Sequence, residues 1–186
     1  FFAKDFIGSY NDFKQRIDEI QSVINIKGLD EQKQNIINKL SYINIITSLD
    51  TFICDIILTK IIQDEESFNN FFNSIPPCKK KDEMTKLKED NLVAQWEQKV
   101  IEYVMRTSYS NIDTIKDILK ELFKVSIIDT NGKMKKHFYY RNLLAHRNGR
   151  KKDGGYINIT NEELKSLITD TQSIAKQIQT KIKPEH

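Results

Sequence analysis

The sequence predicts an all-α fold, a bundle of about five to six helices built as one domain over residues 1–186. Its six glycines and three prolines fall in clusters and leave long uninterrupted segments, in which helices can run. Within these segments apolar residues recur at spacings of three and four, the period of a helix with one buried face. With 186 residues and 39% hydrophobic content, the chain is long enough to bury a core of several helices.

The first two helices follow from this spacing. Residues 2–26 carry a single apolar stripe, and Lys27 and Gly28 end it. Asp30 is a suitable N-cap for a second helix, which extends to about Gln63 and is apolar on most sides. Because a helix that is apolar all round must be buried, we expect this helix at the centre of the bundle.

The middle of the chain predicts shorter elements. Residues 68–75 are expected to form a short helical turn, and residues 76–81, with two prolines and three lysines, an exposed connection. A helix is expected over about residues 82–106. Ser110, followed three positions later by Asp113, predicts the N-terminal cap of the next helix.

The last third of the chain predicts two further helices. The sequence "DTNGK" is typical of a turn. Residues 138–147 then lie on a helix that ends at the Asn-Gly pair of residues 148–149. After a loop with a short extended piece, Thr160 and Glu163 form a capping box for the last helix, which reaches about residue 181.

Charge is distributed unevenly along the chain. Residues 131–152 contain eight Arg or Lys residues and no Asp or Glu, whereas the rest of the chain has 21 basic and 26 acidic residues. The net formal charge of +3 therefore hides an acidic body with one basic segment. A basic segment of this kind is a candidate surface for a polyanion.

Several classes of protein are not expected from this sequence. Cys54 and Cys78 are the only cysteines, and they form neither a CxxC pair nor a Cys/His pair, which argues against a disulfide scaffold or a zinc site. This usage favours a reducing, cytoplasmic location. The chain has no run of about 18 apolar residues, and its start lacks the features of a signal peptide. We expect no membrane span, no metal and no cofactor.

The basic segment contains the sequence "RNLLAH", Arg141 to His146. At about 100° per residue on a helix, its polar side and its apolar side separate. The polar side holds Arg141, Asn142, Ala145 and His146, and the opposite side holds Tyr140, Leu143 and Leu144. The helix is therefore expected to dock its apolar side on the core and to present Arg, Asn and His around a small alanine.

These residue types suit a phosphodiester substrate. The planar guanidinium of Arg141 can hold phosphate oxygens and stabilise the extra negative charge of the transition state, while His146 can both accept and donate a proton near neutral pH. RNA is the expected substrate, because its 2′-hydroxyl is an internal nucleophile and cleavage then needs no metal. The reaction needs one base and one acid, but each chain offers one well-placed histidine. A symmetric homodimer would supply both, and Ala145 would allow two such helices to approach closely.

The sequence Arg141-Asn142-Leu-Leu-Ala-His146 is an R-x4-H motif and resembles the signature of the HEPN superfamily. The resemblance is good over about residues 138–178, where "RNLLAHRNGR", a Gly-containing loop and "INITNEELKSLI" are similar to bacterial HEPN proteins. It implies an all-α bundle, a homodimer with the motif at its interface, and metal-independent endoribonuclease activity, often in toxin-antitoxin or antiviral defence systems. Carried over, Arg141 and His146 would be catalytic and Asn142 would support them.

One position departs from part of this family. Some HEPN toxins that pair with a nucleotidyltransferase antitoxin carry a tyrosine two residues after the histidine, and this tyrosine is modified. The present chain has Asn148 there. The departure puts that particular partnership in doubt, although an antitoxin or defence partner protein of another kind remains an expectation.

Three other interpretations of the basic helix stay open. It can be a solvated helix end without a function, a non-catalytic HEPN module that binds RNA or protein, or an antitoxin or scaffold whose basic segment neutralises an acidic partner. The residues that follow the motif are candidates for non-specific contact with the RNA backbone, with a solvated charged face as the alternative. These residues are Arg147, Arg150, Lys151 and Lys152.

Four further residues have two interpretations each. His137 follows two lysines and is expected to be an exposed neighbour of the site or a phosphate contact. Tyr139 and Tyr140 can stack on bases, but such tyrosines are more often core or interface residues. Asp50, which fits the family's pattern of an acidic residue in an apolar helix, can contact the site or cap a buried polar group, and we favour the second role.

Overall fold

The computed structural model describes residues 5–182, apart from the side chain of Asn131, and these residues form eight α-helices. The helices are α1 (Phe6–Ile24), α2 (Glu31–Gln63), α3 (Glu65–Ser74), α4 (Lys79–Glu89), α5 (Val93–Arg106), α6 (Ile112–Phe123), α7 (Lys133–Arg147) and α8 (Asn161–Lys181). A single 3-10 turn, Thr130–Gly132, precedes α7. The extended pairing found within residues 5–182 is one isolated bridge between Arg150 and Tyr156. The all-α class predicted from the sequence is therefore confirmed.

The predicted number of five to six helices is wrong. The helix expected over residues 82–106 is two helices, α4 and α5, because the chain turns at Asn91, whose φ of 56° lies in the left-handed region. Short polar side chains tolerate this conformation better than most. Residues 79–81, expected in a connection, form the first turn of α4, where Lys81 Nζ donates to the backbone oxygen of Ile75 at 2.6 Å. α3 is likewise a complete helix of 10 residues and not a short turn.

α2 is the central helix, as its apolar sequence predicted. The Asp30 carboxylate caps it by accepting from the backbone N–H of Lys33 at 2.8 Å, and the helix ends at Gln63. Six of the other helices, α1, α3, α5, α6, α7 and α8, pack directly against it. Although α2 has 33 residues, neither it nor another helix within residues 5–182 combines the length and hydropathy that a membrane crossing requires.

α1 packs along α2 through the apolar stripe seen in the sequence. Phe13 and Ile17 are buried, and the ring of Phe13 lies 5.7 Å from that of Phe52 on α2. The helix ends at Ile24, close to the predicted stop. Its predicted start at Phe2 lies outside the described residues.

The start of α6 differs by one residue from the predicted cap. Asn111, and not Ser110, is the N-cap, and its side chain accepts from the backbone N–H of Asp113 at 2.9 Å. The Ser110 hydroxyl is instead paired with that of Ser108 at 2.8 Å. Both residue types cap helices well, so composition alone did not decide between them.

The end of α7 and the start of α8 are both formed by the local signals predicted from the sequence. At its end Asn148 and Gly149 adopt φ values of 53° and 81°, and the backbone N–H of Gly149 donates to the oxygen of Leu143 at 2.9 Å. The predicted stop is confirmed. The predicted capping box of α8, formed by Thr160 and Glu163, is also present. α7 is thus clamped between α2 and α8, with one side left open.

Candidate functional site

The open side of α7 carries most of the polar motif. Asn142, Ala145 and His146 are exposed, whereas Leu143 and Leu144 are buried at 6% exposure each. Arg141 lies at the boundary and is half-buried. The helix therefore presents Asn142 and His146 outward, while Arg141 is near enough to Asp50 on α2 to interact with it electrostatically.

Arg141 has spare hydrogen-bonding capacity. Its Nη1 donates to Oδ1 of Asn142 at 3.3 Å, so Asn142 turns its oxygen toward the guanidinium. Its Nε is buried and has no acceptor in the described part of the chain. A guanidinium has five donors and the bond to Asn142 uses one of them, so the Nη nitrogens of Arg141 have donors left with which to bind an anion such as phosphate.

Asp50 on α2 interacts with both Tyr109 and Arg141. Its Oδ1 accepts from the backbone N–H of Tyr109 at 2.5 Å, which is the structural role favoured from the sequence. Burial raises the pKa of the Asp50 carboxyl above its ordinary value, while the Tyr109 N–H and the positive charge of Arg141 act in the opposite direction. Asp50 thus caps a buried polar group and also lies within the electrostatic field of Arg141.

A cavity of about 360 Å³ opens beside His146. The six residues that line it are Tyr139, Asn142, Leu143, His146, Arg147 and Lys152. The lining combines a ring, an imidazole, an amide and two cations, and it includes no carboxylate. A larger cavity of about 600 Å³, between the end of α2, α3 and α6, has both acidic and basic walls. The cavity beside His146 therefore has the chemistry of an anion site.

The structure does not bring all the predicted site residues together. Arg141 contacts Asn142, and the lining of the cavity beside His146 does not include Arg141. Of the predicted backbone contacts, Arg147 and Lys152 line the cavity, whereas Arg150 and Lys151 lie outside it. Lys151 is half-buried and donates its backbone N–H to Gly155 at 2.7 Å.

The expectation that His137 is an exposed neighbour of the site or a phosphate contact is wrong, because this residue is buried at 6% exposure. Its Nε2 lies 3.0 Å from Oδ2 of Asp170 on α8, and its Nδ1 lies 2.7 Å from the hydroxyl of Tyr42 on α2. A carboxylate only accepts, so Nε2 carries the proton and Tyr42 donates to Nδ1. Burial lowers the pKa of His137, and the bond to Asp170 opposes this effect.

The sequence carries a signal for the burial of His137. Met134, Phe138 and Leu144 are buried on α7, and at helical spacing they define a stripe that also includes His137. The neighbouring lysines at positions 135 and 136 are exposed, and their charge is the reason that His137 was expected at the surface. His137 therefore ties α7 to α2 and α8, one turn before Arg141, and does not face a substrate.

The two adjacent tyrosines have different environments. Tyr139 is 48% exposed and lines the cavity. Tyr140 is half-buried, packs against the core, and has its ring centroid 6.4 Å from that of Tyr42. The core role therefore holds for Tyr140, whereas Tyr139 is available to a ligand.

No group of three or more His, Cys, Asp or Glu side chains within the described residues is placed to hold a metal ion. Cys54 and Cys78 are both free thiols, half-buried and exposed respectively. The cavity lining offers one imidazole and no carboxylate or thiol. The polar side chains of the lining are those of Tyr139, Asn142, His146, Arg147 and Lys152.

Comparison with known proteins identifies the family. The family model described as RiboL-PSP-HEPN matches residues 11–184, which cover most of α1 and the whole of α2 to α8. Neither the curated proteins nor the solved structures yielded a match. The resemblance to HEPN proteins seen in the sequence is thereby confirmed, and the chain belongs to the RiboL-PSP-HEPN family.

Proposed function

We propose that this protein is a metal-independent endoribonuclease of HEPN type, which cleaves RNA by attack of the 2′-hydroxyl at a site shared between two protomers. HEPN domains are commonly endoribonucleases, and they often bind RNA and dimerise. The observation that carries the proposal is the exposed part of α7, where Asn142 contacts the half-buried Arg141 and an exposed His146 lines a cationic cavity.

The proposed reaction is a transesterification. A neutral His146 takes the proton of the 2′-hydroxyl, and the 2′-oxygen forms a bond to phosphorus. The bond from phosphorus to the 5′-oxygen breaks, and a protonated His146 from the second protomer donates to that leaving oxygen. Arg141 stabilises the negative charge that builds on the phosphoryl oxygens, and Asn142 orients Arg141. The products are a 2′,3′-cyclic phosphate and a 5′-hydroxyl.

The second protomer answers a geometric difficulty. Arg141 and His146 do not line the same cavity within one chain, and one histidine cannot be base and acid in the same step. A twofold axis beside the exposed Ala145 would bring the Arg141 of one copy toward the His146 of the other. The dimer is therefore part of the proposal and not an addition to it.

We extend the proposal to the setting of the enzyme. Arg147, Arg150, Lys151 and Lys152 would hold neighbouring phosphates without sequence preference. A nuclease of this kind needs a regulator, and an antitoxin or an antiviral defence partner in the cytoplasm is the expected class. Residues 1–186 would then act as one HEPN domain.

The second candidate function is a non-catalytic module that binds RNA or protein, including an antitoxin or scaffold. It is favoured by the absence of Arg141 from the cavity that His146 lines within one protomer, because a cationic cavity without the full set of catalytic groups can still bind a polyanion. Such a module would bind RNA with a steep salt dependence and leave it intact. A chain that stays monomeric at micromolar concentration would favour this candidate.

The deciding experiment is RNA cleavage by the purified protein in the presence of EDTA. We expect cleavage in chelator, 2′,3′-cyclic phosphate ends, and loss of activity by at least ~10²-fold in His146→Ala and in Arg141→Ala. Arg106→Ala, at an exposed arginine that ends α5, is the matched control and should retain activity. Loss of cleavage in EDTA, or full activity of His146→Ala, would refute the mechanism.

A further inference from the structure

The wall of the cavity beside His146 carries an aromatic ring that lies next to a second ring. The ring of Tyr139 lies 6.1 Å from that of Tyr140 at an interplanar angle of 49°. Tyr140 in turn packs against Tyr42, whose hydroxyl is bound to the buried His137. A row of rings therefore runs from Tyr42 in the core through Tyr140 to Tyr139 at the cavity. Tyr139 itself is 48% exposed.

The rest of the lining completes the chemistry of a nucleotide site. Leu143 supplies an apolar surface, while Arg147 and Lys152 supply positive charge. The lining includes no carboxylate. A volume of about 360 Å³ falls in the range of roughly 300–1,000 Å³ that small-ligand sites occupy. One nucleotide has a flat ring to stack and an anionic phosphate to bind, and the two parts match the two kinds of wall.

We propose that this cavity binds one unpaired nucleotide of an RNA strand, with the base stacked on Tyr139 and its phosphate held by Arg147 and Lys152. The inference rests on the proposed function, because it takes RNA as the ligand. A base within a duplex has both faces covered by its neighbours, so it cannot stack on a side chain unless it is extruded. The substrate class is therefore single-stranded RNA or an unpaired loop.

The surroundings favour a strand over a free nucleotide. Arg150 is exposed on the loop that carries Lys152 and lies outside the cavity lining. Residues 131–152 contain no acid, so the segment from the end of α7 to Lys152 offers cations beyond the two that line the cavity. A free nucleotide would fill the cavity alone, whereas a strand also has neighbouring phosphates for the outer cations.

The test measures binding without cleavage. The probe is a short 2′-fluoro RNA oligonucleotide with one 2-aminopurine, which lacks the 2′-hydroxyl nucleophile and reports stacking by fluorescence. We expect Tyr139→Ala to weaken binding of the single strand by about 5- to 150-fold and to remove the quenching of 2-aminopurine, whereas Tyr139→Phe retains both. Tyr156→Ala removes a tyrosine that is 64% exposed and outside the cavity, and it should bind like the wild type.

Duplex RNA of the same sequence provides the second arm. Its binding depends on phosphate contacts alone, so Tyr139→Ala should leave it unchanged. Equal losses for single strand and duplex, or equal behaviour of Tyr139→Ala and Tyr156→Ala, would overturn the inference. AMP that competes as well as the oligonucleotide would overturn the assignment to a strand.

The outcome is separable from that of the nuclease proposal. If the protein fails to cleave ordinary RNA but binds the single strand through Tyr139, the nuclease mechanism fails and the stacking site stands. If the protein cleaves RNA and Tyr139→Ala binds the probe normally, the stacking site fails and the nuclease mechanism stands. Equal thermal unfolding midpoints of Tyr139→Ala and the wild type would establish that both are folded.

Discussion

Replacing Tyr42 by Phe should destabilise the fold through a single lost hydrogen bond. The Tyr42 hydroxyl lies 2.7 Å from Nδ1 of His137, and the two residues are 1% and 6% exposed. The substitution keeps the ring and its packing, but it leaves the ring nitrogen without a donor inside the core. An unsatisfied buried acceptor costs about 1–3 kcal/mol. For a chain of this size, that corresponds to a fall in melting temperature of about 2–12 °C.

Thermal and urea unfolding of the variant would measure this effect. Tyr156→Phe removes a hydroxyl from a tyrosine that is 64% exposed, and we expect it to change the free energy of unfolding by less than about 0.5 kcal/mol. A double-mutant cycle with His137→Ala adds a specific test. Once His137 is absent, Tyr42→Phe should cost less, with a coupling energy of at least about 0.5 kcal/mol.

Two results would refute the reasoning about Tyr42. The first is a Tyr42→Phe variant as stable as the Tyr156→Phe control, which would mean that Nδ1 of His137 has no need of the Tyr42 donor. The second is additivity of Tyr42→Phe and His137→Ala, which would mean that the two side chains do not interact.

Three further outcomes are expected. Because burial lowers the pKa of His137, the unfolded state binds a proton before the folded state does. Stability should be level above pH ~7.5 and fall as the pH drops below about 6.5, with a shallower fall in His137→Asn by calorimetry. Asp50→Ala leaves the Tyr109 N–H without its acceptor and should cost about 1–3 kcal/mol in urea unfolding, whereas Asp50→Asn keeps an acceptor, so equal losses would contradict this role. Gly149 (φ +81°) and Gly154 (φ +88°) both have left-handed backbone, but a Cβ added at Gly149 would lie 3.3 Å from a leucine methyl, whereas one at Gly154 would meet open space. Gly149→Ala should therefore lower the melting temperature more than Gly154→Ala. The reverse order would exclude the steric explanation.

The helices and their ends were largely predictable because their signals are local. Asp30, Thr160 and the Asn-Gly pair at residues 148–149 act through hydrogen bonds or backbone angles within a few residues of themselves. A pattern of that range can be recognised in a linear sequence. The break at Asn91 was missed because the apolar spacing continues from α4 into α5, and spacing alone does not register one left-handed residue.

The candidate site was predictable only in part, and for a related reason. Arg141, Asn142 and His146 lie within six residues of one helix, so helical geometry alone predicted that they share one side of it. Which of them faces solvent depends on what packs beside α7, and Asp50 and Tyr42 lie roughly one hundred residues away along the chain. That Arg141 is half-buried while Asn142 and His146 are exposed follows from that packing.

The sequence by itself determined the all-α class, the central position of α2, the family resemblance and the R-x4-H motif, because each depends on composition or on spacing within one element. Only the tertiary structure decided that His137 is a buried link to Tyr42 and Asp170, that Tyr140 belongs to the core, and that Tyr139 lines the cavity with His146. Consecutive residues on a helix point about 100° apart. Their roles are therefore assigned by the helices that pack around them.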